Sequence, residues 1–96
     1  MRYTKDAKTA CQRLADFLGW NLRKEARSYV VEIPGEELPG SPKKSTPMLA
    51  FLAESAIRSG YDPATLQDAT RWSGRIPTRG LSAWEEGALR QLLNAE

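Results

Sequence analysis

Residues 4–33, TKDAKTACQRLADFLGWNLRKEARSYVVEI, contain one change of hydrophobic period, and the fold follows from it. In the first half Ala7, Ala10, Cys11, Leu14, Phe17 and Leu18 recur at helical spacing and make one apolar face. Thr4 is placed to cap this helix, with Asp6 in the first turn, where a negative charge suits the helix dipole. Gly19 stands where a left-handed C-terminal residue belongs, and Trp20 is positioned to fold back on Leu14 or Ala15. Cys11 lies inside the apolar stripe and reads as a core thiol.

The period then shortens to two. Tyr29, Val31 and Ile33 alternate with Ser28, Val30 and Glu32, the pattern of a half-buried strand, and Pro34-Gly35 ends it. A single strand leaves its backbone groups unpaired, so it needs a neighbour. The nearest is Trp20 to Arg23, turned through Lys24-Glu25-Ala26 into a small hairpin. If an edge stays open instead, a second chain could pair with it, giving a dimer or β-augmentation by a partner.

Residues 34–46 hold three prolines, two glycines and four charges and read as a loop. Pro39-Gly40-Ser41-Pro42-Lys43 within it is read as a connector and not as a polyproline ligand. A second helix then starts with Thr46 as cap and Pro47 in its first turn. Met48, Leu49, Phe51, Leu52, Ala53, Ala56 and Ile57 surround much of its circumference, which places it in the middle of the core. Gly60 closes this helix, Asp62-Pro63 opens a third that runs to about Trp72, and residues 74–80 are irregular around Pro77. Ser82 and Glu85 form a capping box for a last helix, with Trp84, Ala88, Leu89, Leu92 and Leu93 as its core face. The expected architecture is therefore α+β and mostly helical: four helices, with a small β-hairpin between the first and second. It forms one domain over 1–96, made of helix plus hairpin (1–33), a Pro/Gly-rich loop (34–46) and a three-helix segment (47–96).

The composition excludes whole classes of chemistry. Among 96 residues there is no histidine and one cysteine, so tetrahedral zinc sites and Ser-His or Cys-His nucleophile pairs lack their usual ligands and bases. No Walker or G-x-G-x-x-G pattern offers a nucleotide loop. Ser41-Pro42-Lys43-Lys44 spells S-x-x-K, but it sits in a Pro-rich loop without the companion motifs of penicillin-recognising enzymes. The adjacent acids Glu36-Glu37 and Glu85-Glu86 do not face one another and make no catalytic dyad. No catalytic residue, metal or cofactor is expected. The longest apolar run, Met48 to Ala53, has six residues where a bilayer span needs about 20. With an acidic residue already at Asp6, no signal-like stretch and no possible internal disulfide, a cytoplasmic protein is expected.

The second helix junction carries the most specific pattern. Ala56, Gly60, Leu66 and Ala69 match helix-turn-helix spacing over helices 47–59 and 63–72, in which small residues permit close crossing and glycine makes the turn. A DNA-binding chain built this way would use Thr65, Gln67, Arg71 and Arg75. Serines at 55 and 59 oppose the motif, and the C-terminal half has five basic against six acidic residues, a weak field for DNA. A contact surface for another protein is the leading expectation, with Arg71, Trp72, Arg75 and Arg79 as its anchors, because Trp and Arg are favoured at interface hot spots. Trp72 has a second reading, as a plug of the core.

The opening Arg2-Tyr3-Thr4-Lys5-Asp6-Ala7, the helix through Cys11 and Leu14-Ala15 and the return through Tyr29-Val30-Val31-Glu32-Ile33 resemble the helix-then-strand start of short phage and prophage accessory proteins. The resemblance covers about the first third of the chain. It implies a small protein of a mobile element that binds and blocks a host protein or complex, as anti-CRISPR proteins do, and it assigns no individual site residue. The expected function is accordingly a non-enzymatic protein-binding module, with a helix-turn-helix DNA binder as the alternative.

Overall fold

A computed structural model describes residues 2–25, 28–33, 36–37 and 44–93. Four helices and three short strands follow in the order α1 (Ala7–Leu18), β1 (Asn21–Glu25), β2 (Ser28–Ile33), β3 (Glu36–Glu37), α2 (Ser45–Arg58), α3 (Pro63–Thr70) and α4 (Ala83–Leu93). This is the α+β, mostly helical architecture that the periodicity implies.

α1 buries Ala7, Ala10, Cys11, Leu14, Ala15 and Leu18 along one stripe. Its cap is Asp6 and not Thr4: the Asp6 carboxylate accepts the Lys8 N–H at 3.2 Å and the Thr9 hydroxyl at 2.8 Å. Thr4 lies two residues too early, and its hydroxyl accepts the Asp6 N–H instead. The helix ends as expected, in a Schellman motif. Gly19 has φ +74°, its N–H reaches the Asp16 carbonyl, and the Trp20 N–H reaches the Ala15 carbonyl at 2.9 Å.

The hairpin pairs Leu22 with Val31 and Asn21 with Glu32, antiparallel. Val31 faces the core and is fully buried, whereas Glu32 is exposed and forms an ion pair with Arg23 across the strands. That pairing is the main reason the Glu32 carboxyl sits below its ordinary pKa. β1 extends to Glu25, so Lys24 and Glu25 belong to the strand and not to the expected turn. β3 is an addition to the expected loop: Glu36 and Glu37 pair back on Ile33 and Glu32, giving the sheet order β1-β2-β3. β2 is thereby the central strand, and among the described residues the outer edge of β1 has no strand partner. The Pro39–Lys43 connector lies outside the described residues.

The four helices close a ring in which α1 and α4 each pack on both α2 and α3. α2 is buried most fully, through Met48, Leu49, Ala50, Leu52, Ala53 and Ala56. It begins at Ser45, with Lys44 in the cap position, one turn-fraction ahead of the expected Thr46 cap. α3 stops at Thr70, short of Trp72, because Arg71 takes a left-handed conformation (φ 45°, ψ 46°). α4 opens with the predicted capping box: Glu85 accepts from the Ser82 N–H at 2.8 Å, and the Ser82 hydroxyl accepts the Glu85 N–H at 3.4 Å. Ala88, Leu89 and Leu92 fill the core from α4, but Trp84 does not, being 47% exposed. One apolar cluster joins α1, β2, α2, α3, Trp72 and α4.

Candidate functional site

The four residues expected to form one contact surface divide between core and surface. Trp72 is 3% exposed and packs in the core cluster, so it is a structural plug and not an interface anchor. Its indole N–H has no acceptor among the described residues. Arg75 and Arg79 are exposed in the irregular segment after it. Arg71 is half-buried, 3.4 Å from the Asp68 carboxylate and 5.7 Å from the centre of the Tyr3 ring, in cation–π geometry.

Backbone pairing holds Trp72 in place. The Thr4 N–H donates to the Arg71 carbonyl at 2.9 Å and the Ser73 N–H to the Thr4 carbonyl at 2.7 Å, a short parallel bridge. Arg13 of α1 completes the junction by donating to the Arg2 and Thr70 carbonyls at 2.8 and 3.0 Å. The left-handed turn at Arg71 directs the chain alongside the N-terminal arm.

Of the residues of the helix-turn-helix alternative, Thr65 and Gln67 lie on α3, Arg71 caps its end and Arg75 follows it. Ala56 and Leu66 are buried and Gly60 makes the turn with φ +100°, as the spacing implies. Yet α2 and α3 do not lie along one another; they occupy opposite corners of the helix ring. Thr65 is exposed, but the Gln67 amide donates to the Gln91 carbonyl of α4 at 2.6 Å.

A different surface is assembled on the α1/α3 side. Phe17 is 46% exposed and Tyr61 37% exposed, and their rings meet edge-to-face with centroids 5.9 Å apart. Beside Phe17 a groove of about 420 Å³ is lined by Arg13, Asp16, Phe17, Thr65, Asp68 and Ala69. Asp68 continues it to Arg71 and so to Tyr3, which is 65% exposed. Of the four exposed large apolar side chains among the described residues, Phe17 and Tyr61 are in contact and Tyr3 is linked to the groove through Arg71 and Asp68. Sequence reasoning assigned Phe17 to the core because it follows Leu14 at helical spacing. The only hint was its place at the margin of the stripe, beside Asp16.

The Cys11 thiol is fully buried and donates to the Ser45 carbonyl at 3.3 Å, and burial pushes its pKa up to about 12. Among the described residues no three of His, Cys, Asp and Glu gather where they could hold a metal ion, and no helix is long and apolar enough to cross a membrane. No protein-family model, curated protein or solved structure matches the chain.

Proposed function

We propose that this chain is a non-enzymatic protein-binding module that docks on its partner through the α1/α3 face. The observation that supports this reading is an open groove lined by exposed Phe17, whose ring meets exposed Tyr61, while the groove residue Asp68 pairs with Arg71, which lies over exposed Tyr3. Exposed aromatic rings cost hydration in the free protein and gain contact area on docking, and Tyr and Arg are enriched among residues that dominate binding energy. The mixture of Arg13 and Arg71 with Asp16 and Asp68 supplies a polar rim of both signs. A protein surface fits that rim better than a nucleic acid backbone, which would meet the two carboxylates. In its fuller form the proposal is that of an inhibitor from a mobile element, acting on a host protein complex inside the cell.

The test is comparative capture from lysate of the source cell. Immobilised wild type and a Phe17→Ser/Tyr61→Ser variant are compared by quantitative mass spectrometry, with Trp84→Ser as a surface control. The expected result is a partner retained by wild type and by the control and depleted about tenfold or more by the double variant, which loses two central anchors. Far-UV circular dichroism confirms that all three proteins are folded. Equal retention by the three would refute the α1/α3 face as the docking surface.

A further inference from the structure

A second concave feature lies elsewhere and shares no lining residue with the α1/α3 groove. A cleft of about 660 Å³ opens between the start of α1, the start of α2 and residues 77–81. Three cations line it from these three places: Lys8, Lys44 and Arg79, all exposed. Lys44 and Arg79 make no ion pair with any described residue. Bringing like charges together from distant parts of a chain is unfavourable unless an anion offsets them.

Among the described residues the one carboxylate lining the cleft is Asp6, and it is already engaged. Its oxygens accept from the Thr9 hydroxyl and the Lys8 N–H, which hold its pKa below the ordinary value despite some opposing desolvation. Three cations against this single carboxylate leave the described lining of the cleft positive. α2 adds to the field: Lys44 in its cap position supplies no side-chain hydrogen bond, and the first intrahelical bond runs from the Met48 N–H to the Lys44 carbonyl at 3.0 Å. Ser45 and Thr46, whose amides and hydroxyls are hydrogen-bond donors, line the same cleft.

We propose that this cleft binds the phosphate or pyrophosphate end of a phosphorylated small molecule. Two ammonium groups and one guanidinium fork suit a compact, multiply charged oxyanion, and the guanidinium can bind it with two parallel hydrogen bonds. The volume exceeds that of the phosphate alone and lies in the range of clefts that take small ligands, leaving room for the remainder of the molecule. A singly charged carboxylate would leave much of the positive charge unmatched.

The probe is sodium pyrophosphate, titrated calorimetrically into the intact chain at low ionic strength, with sodium chloride of matched ionic strength as the blank. Wild type is compared with Lys44→Gln, Arg79→Gln and Arg58→Gln; the last removes one positive charge at the far end of α2, where Arg58 is exposed. The proposal expects saturable one-to-one binding, weakened about tenfold or more in Lys44→Gln and in Arg79→Gln, the size of one lost charge-assisted hydrogen bond. Arg58→Gln should stay within about twofold of wild type, as a screened distant charge does. Absence of saturable binding overturns the proposal, and so does an equal loss in Arg58→Gln, which would indicate diffuse net charge. A mixed-sequence DNA duplex is titrated alongside; tight duplex binding without pyrophosphate binding would also overturn it, in favour of a nucleic acid backbone. None of these readouts depends on the aromatic face, so the two proposals stand or fall separately.

Discussion

The Arg13 guanidinium of α1 donates at 3.0 Å to the carbonyl of Thr70, in the last turn of α3. That carbonyl is one of the acceptors a helix end leaves unsatisfied, and Arg13 satisfies it together with the Arg2 carbonyl of the N-terminal arm. One side chain thus joins α1, the end of α3 and the arm that pairs with residues 71 and 73.

Removing it should loosen the junction before the core. Arg13→Met keeps the aliphatic stem and leaves a part-buried carbonyl without its donor, so a loss of about 1–3 kcal/mol is expected in urea denaturation. Hydrogen exchange at the Thr4 and Ser73 amides should accelerate more than exchange in α2, because those two N–H groups make the bridge. Unchanged exchange at both positions would show that the bridge holds without Arg13.

Two glycines should respond to alanine with opposite signs. A Cβ at Gly74 would lie 2.5 Å from Trp72 Nε1, 2.7 Å from its Cε2 and 2.8 Å from the Lys5 carbonyl oxygen. The buried indole and the backbone cannot move aside at small cost, so Gly74→Ala is expected to destabilise by about 1–3 kcal/mol. A Cβ at Gly87 in α4 meets nothing within 4 Å, and its backbone is helical. Gly87→Ala should therefore stabilise by about 0.5–1 kcal/mol, through helix propensity and a less flexible unfolded chain. Thermal melts of both variants check the pair.

Cys11 should resist thiol reagents until the protein unfolds. Burial raises its pKa to about 12, so the native thiol stays protonated at neutral and mildly alkaline pH. Titration with a chromophoric disulfide at pH 8 should give almost no reaction in buffer and one thiol per chain in denaturant. The same shift couples to stability. The unfolded thiol ionises near its ordinary value of 9.0 and the folded one only near 12, so the stabilisation from this site is complete below 9.0 and is lost as pH rises toward 12. Cys11→Ala should flatten that alkaline loss; an equally steep loss in the variant would place its origin in other groups.

Legibility in the sequence varied with the range of the interaction. The α1 stripe, the Gly19–Trp20 reversal, the Ser82–Glu85 box and the period-two run through Val31 are all set by neighbours within a few residues, and each could be read directly. β3 could not, because two glutamates pair only when β2 offers them an edge. The Phe17–Tyr61 contact was equally hidden: Phe17 lies on α1 and Tyr61 in the turn before α3, and the two meet only after α1 and α3 pack. Trp84 and Trp72 show the same limit from opposite directions. Trp84 follows the core spacing of α4 yet stays exposed, while Trp72 sits in a basic, irregular segment yet is buried by the arm pairing across Thr4.

By itself, the sequence determined the class and order of the four helices and the hairpin, because helix and strand periods, caps and glycine turns act over a few residues and need no distant partner. It also fixed the composition, with no histidine and a single cysteine. Only the tertiary structure decided which aromatic side chains are surface and which are core, and which cations share a cleft. Those outcomes depend on how helices around the ring cover one another, and several different coverings satisfy the same local pattern.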